Sequence, residues 1–553
     1  MGLDSVRAAI ALSTADGVET QKLDVSQAFL MATPGRELYG YTCQGTHRFN
    51  GEGKKLITRI LRNLYGSVEA ALRWARLAIQ CIVNRIGFQR SRADVCMFRK
   101  CLRVDKFDAE IAKWRENEEV DVPFRGIDTS DSGGALLLQE DSDEKKEVDA
   151  KAKAFGKDYR STWTPPKRSV DIDWQSDMDD IHHYESGEDY TKELRQFDYS
   201  QLIESQPAAD VAGYTWVVMV LYVDDAFLCG NDKAAVKYCA DRFLKMYPGT
   251  QEGDPTAFVG YKIGKAGDDT TITQDVLIKK VLAEMDLTDG KPSKVPLTLP
   301  VLKGSDGEIQ ADKAWINDNV DVQKVMGMIN YLRGTQVTTL FAQSQLARIT
   351  SYPTKANIKQ LQCLTRYLKS RVGSGVRFRK DNPQDLILFS DTSHGTDVWT
   401  SIYVMFRGGI IYAKAVRHKF QSLSSFDSEL GGLSEAAKTA FYFRALTRDL
   451  GHRPNGPVII VGDNQASINE MERGLYSSSR KPRHHAIRQF WAKELVHLGV
   501  IKFVWGPGTS NFSDIGTKVL ANASKFQPLA DQAQGLAPLD PIICKVIEDG
   551  SEE

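Results

Sequence analysis

Apolar and polar positions follow two periods along most of this chain, and neither in one long stretch. "VRAAIALST" at 6–14 has a helical spacing, and "ETQKLDV" at 19–25 alternates as a strand. A turn is expected at "TPGRE", and "AALRWARLAIQCIVNRI" at 70–86 predicts a long amphipathic helix that stops near Gly87. From Tyr214, "YTWVVMVLYVDDAFLCG" predicts a hairpin whose tight turn holds Asp224 and Asp225. "NDKAAVKYCADRFLKMY" follows as a helix, then "AFVGYKIGKAGDDTTITQDV" as a second hairpin, and 316–372 are helical with basic outer faces. From about 385 the pattern gives three strands, "LILFSD", "TSIYVMF" and "GIIYAKAV". After them come helix "SFDSELGGLSEAAKTAFYFRALTRDLG", strand "VIIVGD", two helices, strand "VIKFVWG" and helix "NFSDIGTKVL". That order predicts a mixed sheet with flanking helices, forming a domain of its own at 385–520. The proline- and alanine-rich tail, 521–553, is expected at the periphery.

Residues 101–210 break the pattern. They hold 15 Lys and Arg against 28 Asp and Glu, whereas the rest of the chain holds 56 against 44. An acidic, largely irregular insertion in a mildly basic protein is expected, and the basic remainder suits a polyanionic partner. With 553 residues, two to four domains are expected. No apolar run is long enough to span a membrane and no targeting signal is present, so the expected location is intracellular, in cytoplasm or nucleus. The eight cysteines lack the spacing of a disulfide framework or a zinc module.

Two adjacent carboxylates inside an apolar hairpin are costly to bury unless a cation sits against them. Asp24, at the end of strand "QKLDV", offers a third. Asp24, Asp224 and Asp225 together supply the hard oxygen donors that Mg²⁺ (or Mn²⁺) prefers when it also holds phosphates. Asp is also a favoured turn residue, so the pair alone fits a solvated hairpin equally well.

Four blocks in order, "DVSQAFL" at 24–30, "LYGSVEAALRW" at 64–74, "GFQRSRADVCMF" at 87–98 and "LYVDDAFL" at 221–228, resemble the reverse transcriptase of Ty1/copia-type retrotransposons. The resemblance implies a mixed α+β fold: a polymerase palm with partial fingers at 1–100, more palm at 211–300, and a helical thumb or connection at 301–384. It implies that Asp24 and Asp224 bind two metals, with Asp225 the third carboxylate. Phe29 resembles the aromatic under the nucleotide sugar that excludes a 2'-hydroxyl; read alone it is a core aromatic. "FVGYKI" at 258–263 resembles the hairpin that grips the primer end. Lys355, Lys359, Arg366, Lys369 and Arg371 recur near helical spacing, as a track for a duplex backbone or as a solvated face.

The C-terminal region carries four more acids: Asp391 and Asp463 at strand ends, Glu429 early in a helix, and Asp514 at the start of the last helix. Brought together they would repel without cations, which predicts a two-metal phosphodiester hydrolase. The region resembles the ribonuclease H domain fused to this polymerase, an α/β fold in which the second acid of "SSFDSEL", Glu429 rather than Asp427, is the catalytic one. His484 matches the histidine before the penultimate helix, where proton transfer or product release is expected of it; a capping role is the alternative.

The chain departs from that family in four places. Only "MGLDSVRAAIALSTADG" precedes the first palm strand, Glu69 and Ala71 replace glutamine and proline, the 101–210 insertion lengthens a short connection, and Ala486 follows His484 and His485 where aspartate is common. The expected function is an RNA-directed DNA polymerase with ribonuclease H activity. Its expected partners are an RNA template, a DNA primer, an RNA:DNA hybrid and deoxynucleoside triphosphates, with a second copy or other Pol parts to complete the fingers. The alternative is a truncated or domesticated nucleic-acid-binding protein with little polymerase activity, or with the nuclease alone.

Overall fold

The computed structural model describes residues 3–31, 38–40, 58–60, 70–116, 208, 211–395, 397–418, 424–454, 456–473 and 483–552. The strands in chain order are β1 (Glu19–Val25), β2 (Leu38–Gly40), β3 (Thr58–Ile60), β4 (Gln89–Arg90), β5 (Met97–Arg103), β6 (Tyr214–Tyr222), β7 (Asp225–Gly230) and β8 (Gly249–Gly253). They continue with β9 (Ala257–Phe258), β10 (Tyr261–Ala266), β11 (Asp269–Thr273), β12 (Val376–Phe378), β13 (Ile387–Thr392), β14 (Trp399–Phe406), β15 (Gly409–Arg417), β16 (Val458–Gly462) and β17 (Ile501–Trp505). The fold is mixed α+β with open sheets, ordered β4-β5-β6-β7-β1-β8, β12-β11-β10-β9 and β15-β14-β13-β16-β17. The described residues divide into two units: β2 and β3, which pair antiparallel, belong to one, and the other described elements to the second.

In the first sheet β6 and β7 are the two arms of the apolar hairpin, and β1 pairs antiparallel with β7. β8, "GTQEG", has no apolar alternation and was not legible as a strand; it is fully exposed and held on the sheet edge by its ladder to β1. Helix Lys233–Met246 starts on Asp232, whose side chain accepts from the Ala235 amide, and packs Val236, Cys239, Ala240 and Phe243 into the core below the hairpin.

The N-terminal helix Leu3–Leu12 is buried from Ser5 to Leu12 and packs on β6, β7 and β15. One continuous apolar core therefore runs from the first sheet through this helix into the five-stranded sheet. Arg7, 7% exposed, sits inside it. Its guanidinium donates to the Ile411 carbonyl, the Tyr261 hydroxyl and Asp4, which satisfies a charge that burial alone would not tolerate.

Three expectations are corrected. Residues 101–116 form the end of β5 and helix Val104–Glu116, so the insertion starts later than expected, while 117–207, 209 and 210 lie outside the described residues. The tail is not peripheral: helices Ala523–Ala533 and Pro541–Glu552 bury Phe526, Leu529, Ala530, Ala533, Ile543 and Ile547. Those residues recur at helical spacing, a period that proline- and alanine-rich composition hides. The basic track is shortened: Arg371 is buried on Tyr367, Asp531 and Gln527, and Lys369 donates to the Thr288 and Gly290 carbonyls, whereas Lys355, paired with Asp312, and Lys359 stay exposed. Among the described residues no helix is long and apolar enough to cross a membrane.

Candidate functional site

The five-stranded sheet sets the positions of the second group of acids. β13 lies between β14, antiparallel to it, and β16, parallel to it, so Asp391 near the end of β13 and Asp463 just past β16 emerge at the same edge. Glu429 comes from the helix Ser425–Asp449, which begins on Ser424, whose side chain accepts from the Asp427 amide. That helix packs on β13, and the contact is close because residue 432 is glycine: a Cβ there would stand 1.9 Å from Thr392 Oγ1. The result is one ligand oxygen each from Asp391, Glu429 and Asp463, all within 4.8 Å of one another.

Asp514 arrives on the short 3₁₀ turn Phe512–Gly516, where a longer helix was expected. The turn is fastened to the sheet by the Phe512 ring, 4.3 Å from that of Phe389, by Ser401 Oγ donating to the Ser513 carbonyl, and by Asn511 Nδ2 donating to the Ser390 carbonyl. Just beyond it, Thr517 Oγ1 donates to Asp391 Oδ2, and Lys518 pairs with Asp514.

The electrostatics are those of crowded carboxylates, Asp391 buried and Glu429 and Asp463 half-buried. Burial, then the charges of Asp463 and Asp514, push Asp391 up to about 7. Burial, then Asp391 and Asp463, push Glu429 up to about 9. Asp463 is also raised, by burial and then by Asp514. A proton or a cation would relieve each of these. Glu429, not Asp427, belongs to the converging group. His484 falls in the helix Arg483–His497, but its side chain lies outside the described residues.

The first group of acids sits on the β6–β7 hairpin. Asp225 opens β7 directly opposite Asp24 of β1, and Asp224 is in the two-residue turn. Val223, the other turn residue, has φ +58°, a left-handed conformation costly for a β-branched side chain. The buried Trp74 indole donates to its carbonyl and helps to hold it there. Lys22 lies on the same face of β1 as Asp24, by the two-residue period of a strand, and its ammonium is 3.5 Å from Asp225. Burial raises the Asp225 pKa; Lys22 opposes the shift, and Asp24 and Asp224 add to it. Asp24, Asp224 and Asp225 do not bring their oxygens within the 4.8 Å span that the other group achieves. Phe29, in the short helix Ala28–Met31, is half-buried against the core below this hairpin.

Sequence reasoning missed Lys22, Trp74, Gly432, Thr517 and Lys518. Only Lys22 had a readable signal, its position two residues before Asp24.

No family model matches the chain. It is 23% identical over 328 residues, 58% of its length, to a retrovirus-related Pol polyprotein from transposon RE1 of Arabidopsis thaliana, of which 22% is covered. It is 22% identical over 329 residues, 56% of its length, to one from transposon TNT 1-94 of Nicotiana tabacum, of which 24% is covered. The chain thus spans about a quarter or less of these curated relatives. Similar solved structures include a foamy viral protease-reverse transcriptase in complex with an RNA/DNA hybrid, with 12% identity, 57% of this chain and 38% of that one covered, and a TM-score of 0.33. LC11-RNase H1 in complex with an RNA/DNA hybrid is another, with 13% identity, 23% and 88% covered, and a TM-score of 0.19. The chain is a remote relative of retrotransposon Pol polyproteins in sequence.

Proposed function

We propose that this chain cleaves the RNA strand of an RNA:DNA hybrid at Asp391, Glu429, Asp463 and Asp514, as the ribonuclease H part of a Ty1/copia-type Pol protein. The observation that carries this reading is the convergence of three carboxylates, from two strand ends and one helix, within 4.8 Å. The donor set fits Mg²⁺ or Mn²⁺: it is all oxygen, crowded, and electrostatically unfavourable without added positive charge. A divalent ion held there would stabilise charge on the phosphoryl oxygens and lower the pKa of an attacking water. The chain's own contribution is placement. Thr517 orients Asp391, the glycine at 432 seats Glu429, and the anchored turn carries Asp514. His484 is the proposed proton-transfer group.

A second reading is favoured by the register that sets Asp24 opposite Asp225. In it the hairpin extends a DNA primer on an RNA template from deoxynucleoside triphosphates, with Asp24, Asp224 and Asp225 as ligands and Phe29 under the incoming sugar.

Labelled hybrid incubated with Mg²⁺ tests the first reading. Asp463→Asn should reduce cleavage by about two orders of magnitude, the scale on which one electrostatic contributor to a transition state counts. Cleavage that is unchanged in the variant would sink the assignment. Primer extension by the same preparation, compared with Asp224→Asn, tests the second.

A further inference from the structure

The turn that delivers Asp514 also delivers a cation. Lys518 sets its ammonium against Asp514 Oδ1 while 51% of its side chain still meets solvent. Its influence reaches beyond that partner. Burial works against its charge, but the bond to Asp514 and the charges of Asp514, Asp391 and Asp463 outweigh it and raise its pKa. In return, Lys518 offsets the upward shifts at Asp391, Glu429 and Asp463. The ammonium therefore meets one carboxylate directly, Asp514, and acts on Asp391, Glu429 and Asp463 through its charge. Its neighbour Thr517 donates to Asp391, and the Thr517 amide donates to the Asp514 carbonyl at 3.3 Å, which fixes the backbone from which the ammonium reaches in. The side chain itself is a flexible four-carbon stem with one face in water, free to withdraw.

We infer that Lys518 is the resident counter-cation of this cluster: it holds the carboxylates together when no ion is bound and yields its place when a divalent ion enters. The inference rests on the proposed nuclease site only in that the cluster takes up a divalent ion. The ammonium holds an Asp514 oxygen beside the three converging carboxylates, so it and an entering ion repel one another across the same cluster. In so exposed a setting their repulsion is damped toward its aqueous size, which leaves roughly a tenfold effect on affinity.

The test uses the full chain with Lys518→Met and Lys518→Arg, and two readouts that need no turnover: Mn²⁺ affinity by calorimetry and thermal unfolding in EDTA. Lys518→Met should bind Mn²⁺ about tenfold more tightly yet unfold in EDTA at a temperature lower by about 2 °C or more. Lys518→Arg should retain both wild-type values, and Lys518→Met with Asp514→Asn should recover the EDTA stability. Lys518→Gln separates loss of charge from the bulk of methionine. Unchanged affinity and stability in Lys518→Met, weaker Mn²⁺ binding in it, or no Mn²⁺ binding by either chain would each overturn the inference. A wild-type chain that shows the exchange but cleaves no hybrid would bring down the hydrolysis reading and leave the counter-cation standing.

Discussion

Gly432 lies so close to Thr392 that a Cβ on the glycine would stand 1.9 Å from the threonine Oγ1. The contact sets the distance between the helix Ser425–Asp449 and β13, and so between Glu429 and Asp391. Gly432→Ala should push the helix outward at a cost of about 1–3 kcal/mol, the usual scale of overpacking. Chemical denaturation gives the stability and Mn²⁺ calorimetry the site. A variant with wild-type values in both would mean that Glu429 is positioned by something else.

The raised carboxyls make the metal-free chain sensitive to alkali. Glu429 rises from 4.5 to about 9 and Asp391 from 3.8 to about 7. Each then binds its proton more tightly folded than unfolded, so its contribution to stability is complete below about pH 4 and is lost as pH climbs through the folded value. The unfolding temperature in EDTA should fall between pH 5 and pH 9. Glu429→Gln should flatten the portion above pH 7, where Asp391 has already ionised. A profile for Glu429→Gln that matches wild type would show that Glu429 does not titrate there.

Trp74 and the β6–β7 hairpin are joined by a bond from the indole to the Val223 carbonyl. Trp74→Phe keeps a ring in the core but removes the donor that steadies a left-handed valine. A loss of about 1–3 kcal/mol is expected, the scale for an unsatisfied buried partner. Primer extension should suffer more than hybrid cleavage; equal loss in both would argue against a local effect on the hairpin.

Lys22 is the cation that opposes the rise of the Asp225 pKa. Lys22→Met should therefore move that pKa further up, which carboxyl-carbon NMR across a pH titration would show. An unmoved Asp225 would mean that the 3.5 Å pair is too well solvated to matter.

Periodicity alone located most of the elements, because a side chain's polarity reports which face of its own helix or strand is buried. It brought Asp24 to the end of β1, Asp224 and Asp225 to the hairpin, and Asp391, Glu429 and Asp463 to element ends. It missed β8, whose residues are all exposed and whose order comes from hydrogen bonds to β1 rather than from burial. It also misread the basic run at the end of the helix Lys355–Ser370, where the capping residue Arg371 is a buried partner of Asp531, 160 residues away. The same limit applies to the acids. Their positions at element ends are local facts. Whether their oxygens meet depends on how closely a helix settles on a strand and where a 3₁₀ turn is fastened, the latter by contacts between residues 112 to 126 positions apart. Only tertiary packing sets those distances: it drew Asp391, Glu429 and Asp463 together and left Asp24, Asp224 and Asp225 farther apart, beside a lysine.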